Sequence, residues 1–130
     1  MIKYLSLALL LLLTSTGCLA PHNNYLETGD FVTLLKKEGL PVGESRVIPA
    51  DPFRASTALA VKVGESEIGI YKYDRTSDFQ KTRLEKIRES KRVHITGIPY
   101  PVEVYGSFMF FGLEKNKHKR AILKAIKKFR

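Results

Sequence analysis

The chain predicts an α+β domain, a two-layer sandwich in which an antiparallel sheet of hairpins carries helices on one face. Three observations lead there. TALAVKV at 57–63 and EIGIYKY at 67–73 are rich in β-branched and aromatic residues and flank the turn residues Gly64, Glu65 and Ser66, a hairpin signature. VEVYGSFMFFG at 102–112 reads as a second hairpin turning at Gly106 and Ser107. Helical patterns precede, separate and follow these units, and the connections are too short for parallel crossovers. The expected order is helix, three strands, helix, three strands, helix.

Each element has its own signal. A first helix is expected over 28–38, with Thr28 as cap, Phe31, Leu34 and Leu35 as its apolar stripe, and Gly39 ending it in a left-handed conformation. Pro41, Gly43, Pro49 and Pro52 then imply loop over 44–56, with a short strand at 46–48. Ser77 and Gln80 form a capping-box pattern that starts a second helix running to about Ser90. Its stripe of Phe79, Leu84 and Ile87 is thin, so one narrow edge is expected to be buried. RVHIT at 92–96 reads as a strand and 97–101 as a stiff loop with two prolines. In FMFF at 108–111 both strand faces are apolar, which fits a central strand covered on both sides. The last helix is expected over 114–129, burying Ile122, Ala125, Ile126 and Phe129, with Leu123 at the rim. VGES occurs at 42–45 and at 63–66, four residues being too little to establish a duplication.

The N-terminus reads differently from the rest. Lys3 precedes an apolar run at 4–13, the length of a signal-peptide core and far short of a membrane span. TSTGC at 14–18 then resembles the lipobox of bacterial lipoproteins, in which cleavage before the cysteine exposes it for acylation. Gly17 matches the small residue before the cysteine, and Ser15 stands where the family most often has leucine. The alternative is ordinary secretory cleavage near Ala20, which Pro21 disfavours. The resemblance implies a signal peptide at 1–17, a lipidated Cys18 with a short linker over 18–27, and one domain over 28–130. It also implies export and a lipid anchor in a bacterial membrane. Leu19 is not the aspartate that retains such proteins at the inner membrane of enteric bacteria, so a Gram-negative source would mean the outer membrane. Cys18 is the single cysteine, so no intrachain disulfide can form.

Charge is distributed unevenly. The net +9 hides a balance of −2 over residues 19–74 and +10 over 75–130. Residues 115–130 carry eight basic side chains and no acid, among them Lys115, Lys117, Lys119, Arg120, Lys124, Lys127 and Lys128. One reading is a solvated helix face with cations favoured near the helix C-terminus. The other is a binding surface for an anionic envelope partner such as lipid headgroups, lipopolysaccharide or wall polymer. Nucleic acid is a weaker candidate, because no RNA- or DNA-binding motif accompanies the charge.

No catalytic constellation emerges. His22, His94 and His118 have no second ligand at metal-binding spacing, and HExxH is absent. GESEIG at 64–69 misses the GxSxG spacing by one residue, so Ser66 reads as a turn residue. Glu85 and Glu89 lie one helical turn apart, with Lys81, Arg88 and Arg92 near enough to pair with them. His118 falls in line with Ile122 and Phe129, as a half-buried structural imidazole would. The expectation is therefore a non-enzymatic lipoprotein without cofactor or metal, whose domain binds or supports another envelope component. The alternative is a polyanion-binding module using the basic last helix.

Overall fold

The computed structural model describes residues 22–130. Cys18 and the signal-peptide reading lie outside the described residues. Three helices and six strands alternate as expected: α1 (Thr28–Lys37), β1 (Val42–Val47), β2 (Thr57–Val63), β3 (Ser66–Lys72), α2 (Asp78–Ser90), β4 (Arg92–Ile95), β5 (Ile98–Tyr105), β6 (Phe108–Phe111) and α3 (Lys119–Lys127). All strand pairs are antiparallel, in the order β1-β2-β3-β6-β5-β4. Two three-stranded meanders thus meet through β3 and β6.

The α+β class and the antiparallel sheet stand, but the placement of helices on one face does not. On β6, Phe108 and Phe110 join α1 and α3 through Phe31, Leu35, Ile122 and Ile126. Met109 and Phe111 join the other side, with Leu84 and Ile87 of α2 and with Phe53 and Ala55 from the loop before β2. The cause is the two-residue alternation of a strand: a central strand apolar at every position needs cover on both faces. Loop 48–56, which includes a short 3-10 turn at Asp51–Phe53, and helix α2 supply the second cover. The same arrangement argues against duplication. A two-fold axis relating the meanders would place α1 and α2 on one face, and they lie on opposite faces.

Local chemistry explains the smaller departures. Glu27, not Thr28, caps α1, its backbone N–H donating to Asp30 Oδ2 at 2.7 Å. Gly39 does take the left-handed conformation, at φ 82°. The strand expected at 46–48 is β1, and it begins at Val42, with an irregularity between Val42 and Ser45. Residues expected as loop over 98–101 are the first half of β5, paired with β4 at His94–Pro99 and Arg92–Pro101. Prolines fit there for a definite reason. Val102 N–H donates to Lys91 O toward β4, so by alternation positions 99 and 101 face away from β4. On that side β6 has already ended, since its last pair is Phe111–Val102.

The last helix starts five residues later than expected. Asn116 is the cause. Its buried side chain donates to Val63 O at 3.0 Å and Ser66 Oγ at 2.9 Å, while its Oδ1 accepts from His118 N at 2.8 Å. An asparagine engaged with its surroundings this way favours turns over helix. Residues before Lys119 are consequently folded as turns, with Asn116 N bonded to Leu113 O and Lys119 N to Asn116 O.

Candidate functional site: an asparagine clamp and two basic faces

The pairing register gives the sheet two distinct ends. Tyr105–Phe108, Phe108–Lys72 and Lys72–Thr57 are neighbours at one end. The turns Val63–Ser66 and Ile95–Ile98 lie at the other, about 20 Å away for a seven-residue strand. Helix α3 runs between them. His118, just before its start, lies against Gly64, and Tyr105 Oη donates to the carbonyl of its last residue, Lys127, at 3.0 Å.

At the first end sits Asn23, fully buried although it lies in the stretch expected to be linker. Its Nδ2 donates to Phe129 O at 3.0 Å and Tyr105 O at 3.2 Å, and its Oδ1 accepts from Ser107 N at 2.8 Å. Asn24 Oδ1 accepts from Arg75 N at 3.0 Å and Ser107 Oγ at 2.9 Å. Gly106 has φ +60°, and a Cβ there would collide with the Asn23 amide. The turn is therefore glycine because the asparagine occupies the space. Arg88 Nη2 closes the same turn by donating to Gly106 O at 2.7 Å. Residues 23–26 belong to the domain, which corrects the linker boundary at 27. The reason is visible only in three dimensions: the partners of Asn23 are more than 80 residues away.

The seven basic residues singled out in the C-terminal stretch do not form one cluster. Lys117 pairs with Glu65 at 3.5 Å, Lys119 with Glu114 at 2.9 Å, and Lys128 with Glu38 at 3.1 Å. Two of these acids come from the acidic half of the chain, so folding brings the two charge halves together. Lys115 is exposed at the mouth of an apolar groove of about 350 Å³ lined also by Tyr100, Pro101, Phe111 and Gly112. Arg120, Lys124 and Lys127 are exposed, have no ion-pair partner among the described residues, and follow i, i+4, i+7 spacing along one helix stripe.

A second basic face, not singled out from the sequence, lies on α2 across the sheet. Arg83 and Lys86 line two adjoining depressions, one shared with Arg54 and Phe79, the other with Arg92 and His94. The Arg54 guanidinium lies 5.8 Å from the centre of the Phe79 ring. Among the described residues the one ion pair on this helix joins Glu85 to Arg88 at 3.6 Å, in line with the expected pairing for one of its two carboxylates. What could have flagged this basic face is that helical spacing puts Arg83 and Lys86 on the face opposite Arg88, the partner of Glu85.

The Tyr73 phenol is pushed up by burial and donates to Phe53 O at 2.6 Å, a structural bond under the loop cover. The Asp74 carboxyl is held below the usual carboxylate range, chiefly because Thr76 Oγ1 and N donate to it. His94 is exposed, and His118 packs beside the β2–β3 turn, half-buried as expected. Among the described residues no three His, Cys, Asp or Glu side chains are grouped to hold a metal. No described helix is long and apolar enough to cross a membrane. Comparison with protein-family models, curated proteins and solved structures finds no match for this chain.

Proposed function

We propose that this chain is a lipid-anchored protein of a bacterial envelope, acylated at Cys18, whose α+β domain binds or supports another envelope component without catalysing a reaction. The observation that carries the reading is the lipobox-like TSTGC at 14–18, and the Asn23 clamp supports where the domain would sit. Cys18 stands five residues before a side chain sewn into the domain, so the acylated protein would work at the membrane surface. A chain of five residues reaches about 17 Å when fully extended. Two or more acyl chains hold a protein stably, so the basic side chains are free for other contacts.

The full chain and its Cys18→Ala variant test the anchor. Wild-type protein is expected to stay with membranes through a high-salt wash and to carry the mass of a diacylglyceryl group. The variant is expected in the soluble fraction. Wild-type protein of unmodified mass in the soluble fraction would overturn the anchor.

A second reading is favoured by the unpaired stripe Arg120, Lys124 and Lys127, which suits a polyanion. Retention of the full chain on immobilised polyphosphate, falling with salt and lost when the three are changed to glutamine, would support it. Equal retention of that variant would remove it.

A further inference from the structure

We infer that one flank of α2 binds a linear phosphodiester chain, with successive phosphates seated in the two adjoining depressions that share Arg83 and Lys86. The site is separate from the α3 stripe and needs no acylation at Cys18.

Helical spacing divides α2 into stripes. Leu84 and Ile87 are buried against the sheet. Asp78, Thr82, Glu85 and Glu89 follow i, i+4, i+7, i+11 spacing on the opposite side, the crest of the helix. Phe79, Arg83, Lys86 and Ser90 follow the same spacing one position on, along one flank. Acids therefore hold the crest and cations the flank. A flat anionic surface such as a bilayer meets the crest first, where three carboxylates oppose it. A narrow chain can lie beside the crest and meet the flank alone.

The flank is recessed and its cations are uncompensated. Near the start of α2 a depression lies between the flank, Arg54 and Phe79, and near its end another lies between the flank, Arg92 and His94. Arg54, Arg83, Lys86 and Arg92 have no ion-pair partner among the described residues. Asp78 is the one carboxylate in the lining, and Asp51 and Asp74 of the neighbouring loops line neither depression. Arg83 is half-buried with an Nε that has no acceptor, a condition that an incoming oxyanion on its guanidinium relieves. Arg75 and Arg88 share the unpartnered Nε. Arg88, however, is held by Gly106 O and Glu85, and Arg75 lines neither depression. The depression beside α3 differs, because Lys117 and Lys119, two of its three cations, are already paired.

The arrangement of the depressions selects the kind of anion. The second lies one helical turn beyond the first, about 5 Å along the axis. Two separate ions at that interval would repel each other, whereas repeating charges on one chain are already held together. The guanidinium forks of Arg54, Arg83 and Arg92 suit phosphate oxygens. Phe79 is the exposed ring of this flank, and Arg54 lies over it at 5.8 Å. The ring is thus engaged rather than open for base stacking, which favours a polyol phosphate over a nucleic acid.

The test titrates the full chain with a fluorescein-labelled oligo(glycerol phosphate), read by fluorescence anisotropy at low salt. Binding is expected to weaken about tenfold or more in Arg83→Gln, Lys86→Gln, and about fivefold in Arg54→Gln, Arg92→Gln, whose residues are both exposed. Unchanged thermal melts would report intact folding. The triple variant Arg120→Gln, Lys124→Gln, Lys127→Gln should change binding by less than about twofold. Free glycerol phosphate at equal phosphate concentration should compete about tenfold more weakly than the unlabelled chain. Absent binding, or a loss caused by the α3 variant and not by the α2 pairs, would overturn the site. Equal competition by glycerol phosphate would overturn the paired seats. Oligothymidylate or polyglutamate bound more tightly than the polyol phosphate would overturn the class of ligand.

Discussion

Each end of the sheet is closed by a buried asparagine, and the two differ in what they fasten. Asn116 ties the connection after β6 to the β2–β3 turn, through Val63 O and Ser66 Oγ. Asn23 ties the start of the domain to the β5–β6 turn and to the chain after α3. The first is a local brace that decides where a helix begins. The second joins the N-terminal segment, the central hairpin and the C-terminus at one point. An amide can do either because it offers donors and an acceptor to backbone groups that would otherwise be buried unpaired. The lesson is that the same residue type sets where a helix begins at one end and where the domain begins at the other.

Substitutions at the two ends should break this comparison in a fixed order. Gly106→Ala should cost most, about 4 kcal/mol, because it adds a left-handed strain to a collision with the Asn23 amide. Asn23→Ala should follow at about 3 kcal/mol, leaving Ser107 N–H and two carbonyls without their partner. Asn116→Ala should cost about 2 kcal/mol, since Ser66 Oγ and His118 N lie nearer to water. Gly64→Ala should cost about 1.5 kcal/mol, for there the new methyl meets only the edge of the His118 ring, which can turn aside. Denaturant titration of the full chain checks the ranking. Asn116→Ala costing more than Asn23→Ala would reverse the contrast between the ends.

Two smaller effects sharpen it. Lys117 and Glu65 are both highly exposed, so removing either should change stability by under about 0.5 kcal/mol. Asp74 beside the clamp has a folded-state carboxyl lowered by the Thr76 hydrogen bonds. Its contribution is present above the unfolded pKa and disappears as pH falls through the folded value. Wild-type protein should therefore lose slightly more stability than Asp74→Asn between about pH 5 and pH 2, as thermal melts over that range would read.

Much of the framework was legible because its causes are local. The 57–73 hairpin, the turn at Gly106 and Ser107, the Ser77 cap with its bond from Gln80 N, and the end of α1 at Gly39 all follow from residues within a few positions of one another. The thin stripe of α2 announced a narrow buried edge, which forms at Leu84 and Ile87, but Phe79, expected in the same stripe, is exposed. It could not say which face of the sheet that edge would meet, because periodicity carries no information about sides. FMFF held the missing clue: a strand apolar on both faces already demanded two covers, and only loop 48–56 and α2 remained to supply the second.

The candidate site was less legible. Clustering of lysine and arginine was plain in the sequence, but its partition was not. Glu38 and Glu65 reach Lys128 and Lys117 only after folding, leaving Arg120, Lys124 and Lys127 as the unpaired stripe. Asn23 and Asn24, in the stretch PHNNY, have the composition of a linker. Their bonds span 51 to 106 residues, a separation that no local pattern records.

The account turns on residue 23 being part of the domain, and amide hydrogen exchange at Ser107 tests that most directly. Its N–H donates to Asn23 Oδ1 in the structure. The account predicts strong protection in the full chain and a loss of at least about 100-fold in Asn23→Ala, with Ile68 and Ile70 of β3 still slow to exchange. A Ser107 amide that exchanges at the same rate in both proteins would mean that the segment is not clamped, and the short tether would no longer follow.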